Sequence, residues 1–116
     1  MSLNSIEEIA SYIVSEGKGI LAADESNPTC GKRFDSIGVD STEKNRRDYR
    51  ELLFRSSGMK NNIGGVILFD ETIRQSSEDG TSLVDLIKDQ GALPGIKVDK
   101  GLQPLNDSSQ EVVTIG

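Results

Sequence analysis

Acidic side chains close two apolar segments of this chain, at the places where strands are predicted to end. Asp24 closes the run GILAAD at residues 19–24, and Asp70 and Glu71 close the run GVILFDE at residues 65–71. The carboxyl ends of parallel strands meet at one edge of a sheet, and in α/β barrels that edge carries the catalytic groups. Carboxylates there can act as general acids or bases. For Asp70 and Glu71 the simpler interpretation is a strand-end cap or a loop anchor.

Lys97 lies in a third segment, GIKVD at residues 95–99, in which apolar and charged residues alternate. Successive side chains of a strand point to opposite faces, so Lys97 and Asp99 share one face. The structural interpretation of Lys97 is a buried ion pair with Asp24 or Asp99. A lysine held among carboxylates is also a tuned acid/base or a phosphate-binding group, so the two interpretations are compatible.

A hydroxyl-rich loop, ESNPTCGKRF at residues 25–34, follows the first predicted strand. Ser26 and Thr29 can donate hydrogen bonds to a phosphate at a helix N-terminus, where Lys32 or Arg33 would neutralise its charge. Serine and asparagine are equally common as plain turn and cap residues, which is the structural alternative for this loop.

A basic cluster is predicted on one long helix, interspersed with acidic residues at helical spacing. Its members are Lys44, Arg46, Arg47 and Arg50, and the acidic residues are Glu43, Asp48 and Glu51. This alternation of charge is typical of a solvated face with ion pairs between successive turns.

Composition narrows the classes of function. The 116 residues include no histidine and one cysteine, and the formal net charge is −6. The absence of histidine excludes Ser-His-Asp and Cys-His nucleophile activation and removes the commonest zinc ligand. The negative charge argues against nucleic-acid binding, and no apolar run is long enough to span a bilayer. We therefore expect neither a nucleic-acid partner nor a membrane, and the single cysteine suits a reducing compartment.

Helical and extended patterns alternate along the chain, which is typical of a parallel sheet with crossover helices. The main predicted elements are a helix over 6–16, a strand over 19–24, a helix over 42–55, a strand over 65–69, a helix over 83–90, a strand over 95–99 and an open tail over 101–116. A shorter helical piece is predicted over 30–37. Ser5, Thr42 and Ser82 are the predicted N-caps, and Gly17, Gly38 and Gly91 the predicted helix stops.

The charged face of the third strand favours an α/β barrel over a doubly wound sheet, because helices cover both faces of the latter. Three strand units occupy 116 residues. At that rate an eight-unit barrel needs about 310 residues, within the range of that fold. The sequence therefore predicts the α/β fold of the N-terminal part of a TIM (β/α)8 barrel, with about three strand units and an incomplete barrel. Its open strand edges should make it a poor folder alone.

Five segments of the chain resemble the N-terminal part of class I fructose-bisphosphate aldolases. They are GKGILAADES at 17–26, GKRFDSIGV at 31–39, NRRDYRELL at 45–53, GGVILFDET at 64–72 and PGIKVDKGLQPL at 94–105. The segments stand in the order of the family and cover most of the chain. The SNPTCGKR form of the loop is most similar to the plastid, algal and bacterial branch.

The resemblance implies a lyase that works without a metal or another cofactor. It implies reversible cleavage of the sugar phosphate fructose 1,6-bisphosphate to dihydroxyacetone phosphate and glyceraldehyde 3-phosphate, in glycolysis, gluconeogenesis or the Calvin cycle. The complete protein is expected to be a homotetramer. In the family a lysine forms a Schiff base with the ketone, and a carboxylate helps to remove the C4 hydroxyl proton.

The resemblance also implies roles for individual residues. By position, Asp24 resembles the acid/base carboxylate of the first strand, and Lys97 resembles the lysine that contacts the substrate and its C6 phosphate. The residues that match phosphate-site positions are Ser26, Thr29, Lys32, Arg33 and Arg46. Thr29 stands where many members have serine, and the hydroxyl is retained.

The Schiff-base lysine of the family belongs to a later strand, so we expect this chain to be inactive alone. Lys97 is not expected to replace it, because Asp24 and Asp99 should raise its pKa and keep it protonated. The alternative hypothesis is a truncated, non-catalytic interaction module whose open strand edge pairs with another chain. The expected compartment is the cytoplasm, with the plastid stroma as the alternative.

Overall fold

Three short strands form a parallel sheet in the computed structural model of this protein, which describes residues 3–116. The helices are α1 (Ile6–Ile13), α2 (Asn27–Asp35), α3 (Glu43–Phe54), α4 (Met59–Asn62), α5 (Asp70–Ile73) and α6 (Leu83–Asp89). The strands are β1 (Gly19–Ala23), β2 (Ile63–Leu68), β3 (Leu93–Ile96), β4 (Leu102–Pro104) and β5 (Val112–Thr114). The predicted α/β class is confirmed.

The parallel sheet has the strand order β1-β2-β3, and its register aligns the carboxyl ends of the strands. Ala23 pairs with Leu68, and Leu68 pairs with Ile96, so the last residues of all three strands are neighbours. The residues that follow the strands therefore emerge at one edge of the sheet.

One face of the sheet carries the hydrophobic core. Ala23, Val66 and Leu68 are buried there against side chains from the helices and the loops between them. The helix and loop members of this core are Phe54, Met59, Leu83, Leu86, Ile87 and Ala92. Fully burying one large apolar side chain contributes about 1.5–3 kcal/mol, so this cluster is the main source of stability among the described residues.

The opposite face is far less covered within residues 3–116. Ile20 is 53% exposed and Ala22 is also exposed, although their neighbour Ala23 is buried. Side chains alternate along a strand, so Asp24 continues the row of Ile20 and Ala22. The acidic residue at the end of β1 thus lies on the side of the sheet away from the core.

The three predicted N-caps are confirmed. The hydroxyl oxygens of Ser5, Thr42 and Ser82 accept hydrogen bonds from backbone N–H groups three residues further on, at 3.1, 3.1 and 3.0 Å. After α6, Gly91 adopts a left-handed φ of 83°, which lets the chain turn back into β3 at little conformational cost. The helix predicted over 42–55 is α3 together with its two capping residues.

Three predicted ends differ from the structure by one to three residues. The first helix was predicted over 6–16 but ends at Ile13, because Val14 leaves the helical conformation and two tight turns lead into β1. The strand predicted over 19–24 ends at Ala23, and the helix predicted over 83–90 ends at Asp89. Asp24 and Gln90 directly follow their elements, whereas Glu16 lies three residues beyond the end of α1.

The second and third strands begin earlier than predicted. The predicted strands cover residues 65–69 and 95–99, whereas β2 and β3 span Ile63–Leu68 and Leu93–Ile96. Pro94 lies inside β3, which has one unpaired edge within residues 3–116, and a strand with a free edge tolerates proline. Beyond β3 only the backbone N–H of Lys97 still bonds to β2, at the carbonyl of Leu68, because β2 itself ends there.

Three segments outside the main predicted helices and strands contain regular structure. The tail over 101–116 holds the antiparallel pair β4 and β5, and the loops after α3 and β2 contain the one-turn helices α4 and α5. The helical piece predicted over 30–37 is α2, which starts at Asn27 because a proline is tolerated in the first turn of a helix. Short pairs and single turns carry too little hydrophobic periodicity to be recognised in sequence.

Candidate active site

A lysine and two carboxylates meet at the carboxyl edge of the parallel sheet. The Nζ atom of Lys97 lies 2.6 Å from Oδ1 of Asp99 and 3.5 Å from Oδ2 of Asp24. The side chains of Lys97, Asp24 and Asp99 are 24%, 25% and 36% exposed, so solvent reaches the group from one side. We call these three residues the strand-end cluster.

The ammonium form of Lys97 is stabilised by its neighbours. The hydrogen bond to Asp99 and the charges of Asp99 and Asp24 raise the pKa of Lys97, against a smaller desolvation effect in the other direction. The same hydrogen bond lowers the pKa of Asp99. This confirms the predicted direction for Lys97, whose amine remains protonated and therefore not nucleophilic across the physiological range.

We expect the Asp99→Asn substitution to lower the pKa of Lys97 toward the ordinary lysine value of about 10.4. The pKa of Lys97 is raised on folding, so its contribution to stability is complete below that ordinary value and is lost as pH rises through the folded pKa. NMR titration of the labelled lysine side chain measures the shift. An unchanged Lys97 pKa in Asp99→Asn would contradict the ion pair.

The loop after β1 brings two predicted phosphate-site hydroxyls together. The oxygens of Ser26 and Thr29 lie 3.2 Å apart at the N-terminus of α2. Ser26 occupies the N-cap position but makes no side-chain capping hydrogen bond, so its hydroxyl is directed to Thr29 and to solvent instead. Lys32 lies exposed on α2, one turn further on.

Glu25, the residue after Asp24, lies at the centre of a second charged cluster that the sequence analysis did not identify. Its Oε2 atom accepts hydrogen bonds from the guanidinium of Arg33 and from the hydroxyl of Tyr49, the latter at 3.2 Å. Arg50 donates to the backbone carbonyl of Glu25 at 2.6 Å, and its side chain is fully buried. The only sequence signal for Glu25 is its position directly after the strand predicted over 19–24.

Arg46 and Glu71 form a bidentate ion pair between α3 and α5. Nε and Nη2 of Arg46 donate to the two carboxylate oxygens of Glu71 at 2.9 and 2.8 Å, and Nη1 donates to the backbone and side chain of Ser41. The hydrogen bonds from Arg46 lower the pKa of Glu71. Asp70, in contrast, is exposed and pairs with Arg74 one turn later. Glu71 therefore anchors the segment that follows β2 to α3, whereas Asp70 pairs only within that segment.

The prediction of a solvated basic face on α3 is wrong for two of its four members. Arg46 is 9% exposed and Arg50 is 0% exposed, whereas Lys44 and Arg47 lie nearer the surface and both pair with Asp48. The periodicity of charge does not distinguish a solvated arginine from one that reaches a buried carboxylate elsewhere in the chain. The carboxylates that meet the two buried arginines, Glu71 and Glu25, are distant in sequence and absent from α3.

We expect the Arg46→Met substitution to lower the free energy of unfolding of the chain by about 3 kcal/mol near neutral pH, because it leaves a partly buried carboxylate unpaired. The pKa of Glu71 is lowered on folding, so its contribution is present above the ordinary glutamate value of about 4.3 and lost as pH falls. Urea unfolding at two pH values measures this, and the penalty should shrink at pH below about 4. A penalty independent of pH would assign the effect to packing.

The strand-end cluster and the loop after β1 offer two different kinds of chemistry at neighbouring positions. The strand-end cluster holds a carboxylate beside a stable ammonium group, which suits proton transfer and the binding of an anion. The loop after β1 presents hydroxyls and a cation on α2, which suits a phosphate group. Asp24, Glu25 and Ser26 are consecutive, so one short segment contributes to both.

Comparisons with known proteins place the chain in a family. The family model for fructose-bisphosphate aldolase class-I matches residues 5–116. The chain is 55% identical over 107 residues to the chloroplastic fructose-bisphosphate aldolase 1 of Chlamydomonas reinhardtii, covering 92% of this chain and 28% of that protein. It is 54% identical over 114 residues to fructose-bisphosphate aldolase of Drosophila melanogaster, covering 97% of this chain and 32% of that protein.

A bacterial relative and a solved structure extend the comparison. The probable class 1 aldolase of Xanthomonas campestris is 50% identical over 116 residues, which is all of this chain and 35% of that protein. A structure of Plasmodium falciparum fructose-bisphosphate aldolase, in complex with TRAP and a small-molecule inhibitor, superimposes with a TM-score of 0.86 at 47% identity. It covers 93% of this chain and 31% of that one.

The chain thus spans about a third of the length of the relatives it matches. Its relatives include the chloroplastic protein of Chlamydomonas reinhardtii and a cytosolic aldolase of Arabidopsis thaliana. No helix within residues 3–116 is long and apolar enough to cross a membrane. The family model covers nearly the whole chain. The chain belongs to the class I fructose-bisphosphate aldolase family.

Proposed function

We propose that this chain supplies the N-terminal third of a class I fructose-bisphosphate aldolase, including its acid/base carboxylate and part of its phosphate site. The observation that carries the proposal is the strand-end cluster, in which Lys97 joins Asp24 and Asp99 at the carboxyl edge of a parallel sheet. Catalytic groups of α/β barrels occupy this position.

The proposed reaction is the reversible cleavage of fructose 1,6-bisphosphate to dihydroxyacetone phosphate and glyceraldehyde 3-phosphate. A lysine of a later strand forms the Schiff base, whose iminium accepts the electron pair of the broken carbon-carbon bond. Asp24 helps to remove the proton of the C4 hydroxyl as that bond breaks. Lys97 remains an ammonium group and contacts the substrate and its C6 phosphate.

The phosphate site is proposed to use the loop after β1 and the first turns of α2. Ser26 and Thr29 donate hydroxyl hydrogen bonds, and Lys32 and Arg33 supply positive charge. Arg46 completes this group in the proposal, although its guanidinium already binds Glu71 and Ser41, so direct contact with a phosphate requires one of these bonds to open.

The complete fold is proposed to be a (β/α)8 barrel, assembled into a homotetramer. The helices that bury the core lie on one side of the sheet, as the outer layer of a barrel does. The row of Ile20, Ala22 and Asp24 would then face the interior, which is where a barrel needs its apolar layers and its catalytic carboxylate.

The experiment that tests this proposal joins residues 5–116 of this chain to the remaining C-terminal part of the Xanthomonas campestris relative. We call the product the joined protein. It should cleave fructose 1,6-bisphosphate, and borohydride should trap the substrate on a lysine of the added part. The 116-residue chain by itself should show no turnover. A folded but inactive joined protein, or borohydride trapping on Lys97, would contradict the proposal.

A second candidate function is a non-catalytic interaction module. The observation in its favour is that β1 and β3 are both outer strands of the parallel sheet within residues 3–116, so each has one unpaired edge. Such edges can pair with a strand of another chain. Mixing the chain with the separately purified C-terminal part of the relative tests this, because failure of the two to form a complex counts against it.

A further inference from the structure

Arg33 is a proposed phosphate-binding residue whose side chain is exposed to solvent. Its side chain is 59% exposed, and its guanidinium has one described partner, the carboxylate of Glu25. An exposed arginine carries a large side-chain entropy that binding must remove. A carboxylate that already holds the guanidinium reduces this cost, provided that the carboxylate is itself fixed.

Two residues, Tyr49 and Arg50, hold Glu25 in place. The hydroxyl of Tyr49 donates to the same Oε2 atom that binds Arg33, and the ring of Tyr49 packs edge-on against Phe34 at 5.7 Å between centroids. Arg50 holds the backbone carbonyl of Glu25, and its Nη2 atom lies 3.8 Å from Oε1. The side chain of Glu25 is only 9% exposed, in contrast to the arginine that it holds.

This arrangement is poorly explained by stability alone. Nε and Nη1 of Arg50 and Oε1 of Glu25 are buried without a hydrogen-bond partner among the described residues. Buried ion pairs with incompletely satisfied atoms are often no more stable than apolar side chains of the same size. Stability therefore does not account for this charged group, whereas its contacts do fix the orientation of Glu25.

We propose that Glu25 is a positioning residue, which holds Arg33 in place for the C6 phosphate of the substrate and is itself oriented by Tyr49 and Arg50. This inference rests on the proposed function. Glu25 does not touch the substrate. Its side chain acts on the phosphate through Arg33. The proton transfer at the reacting bond is assigned to the preceding residue, Asp24, whose side chain contacts Lys97 instead.

The test compares two substrates in the joined protein, fructose 1,6-bisphosphate and fructose 1-phosphate, which is the same ketose without the C6 phosphate. In Glu25→Gln the ratio of the two kcat/KM values should fall about tenfold, because Arg33 is released from a charge-assisted hydrogen bond. In Tyr49→Phe, which keeps the ring and removes only the hydroxyl, the ratio should fall about threefold. Activity on fructose 1-phosphate should change less than about twofold in both.

A variant that weakens the core without touching the loop provides the matched control. Leu86→Ala removes a buried side chain of α6, and it should leave the substrate ratio unchanged. Loss of the same factor from both substrates in Glu25→Gln would show a merely structural role and overturn the proposal. So would a ratio that stays unchanged in both variants.

A second measurement keeps the inference separate from the proposed function. In the 116-residue chain, the order parameter of the Arg33 Nε–H group should fall below about 0.6 in Glu25→Gln and stay higher in the unaltered chain. An unaltered joined protein that folds but has no activity contradicts the proposed function. An Arg33 that is equally mobile with and without the Glu25 carboxylate contradicts the positioning role.

Discussion

The Asp24→Asn substitution should lower kcat of the joined protein by about 10²- to 10⁴-fold, the usual contribution of a general acid or base. Asparagine keeps the size and one hydrogen-bonding oxygen of aspartate but cannot accept the C4 hydroxyl proton. Because Asp24 lies at the end of a strand that is unchanged by this substitution, KM should change little. Steady-state kinetics with fructose 1,6-bisphosphate measure both constants.

Asp70→Asn is the matched control for this prediction. Asp70 is also an aspartate just beyond the end of a parallel strand, but it is exposed and pairs with Arg74 rather than with Lys97. An exposed pair of this kind contributes little, so both stability and kcat should be close to those of the unaltered protein. Equal losses of activity in the two variants would remove Asp24 from its proposed role.

The pH dependence of kcat in the joined protein should not come from Lys97 or Asp99. Lys97 has a raised pKa and Asp99 a lowered one, so neither changes its charge between about pH 5 and 9. A change in rate within that range therefore belongs to another group.

The parts of the fold that sequence predicts well are those fixed by short-range chemistry. The N-caps Ser5, Thr42 and Ser82 and the helix stop at Gly91 follow from residue types at fixed spacings, and the structure confirms them. The meeting of Asp24 with Lys97 also follows, because the carboxyl ends of parallel strands share one edge.

The parts that sequence misses depend on partners distant along the chain. Arg46 and Arg50 occupy positions of α3 that match a solvated face, and only the folded chain shows that Glu71 and Glu25 meet them there. The strand predicted over 95–99 shows the same effect, since its alternating pattern continues to Asp99 although β2 has no residues left to pair with it. Local sequence patterns indicate which conformation a segment prefers, whereas hydrogen bonding to the neighbouring strand determines where a strand ends.

Gly64 is the position at which we expect the largest loss of stability from one added methyl group. It is buried in β2, where α1 crosses the amino end of the sheet, and its φ is not left-handed. A Cβ atom there would lie 2.8 Å from the backbone carbonyl carbon of Ile13 and 3.0 Å from its Cα. Backbone atoms of a packed helix end cannot rotate away as a side chain can, so α1 must move.

We expect Gly64→Ala to lower the free energy of unfolding of the joined protein by about 3 kcal/mol, at the upper end of the usual cost of overpacking. Gly19→Ala is the matched control, because Gly19 is also a strand glycine and its added Cβ would meet no atom of residues 3–116 within 4 Å. That change should alter stability by less than about 1 kcal/mol, since alanine also restricts the unfolded chain. Urea unfolding of the two variants measures the difference. Equal stabilities would mean that α1 is not docked on β2, and the tight contact between Gly64 and Ile13 would then not determine how the N-terminal helix packs.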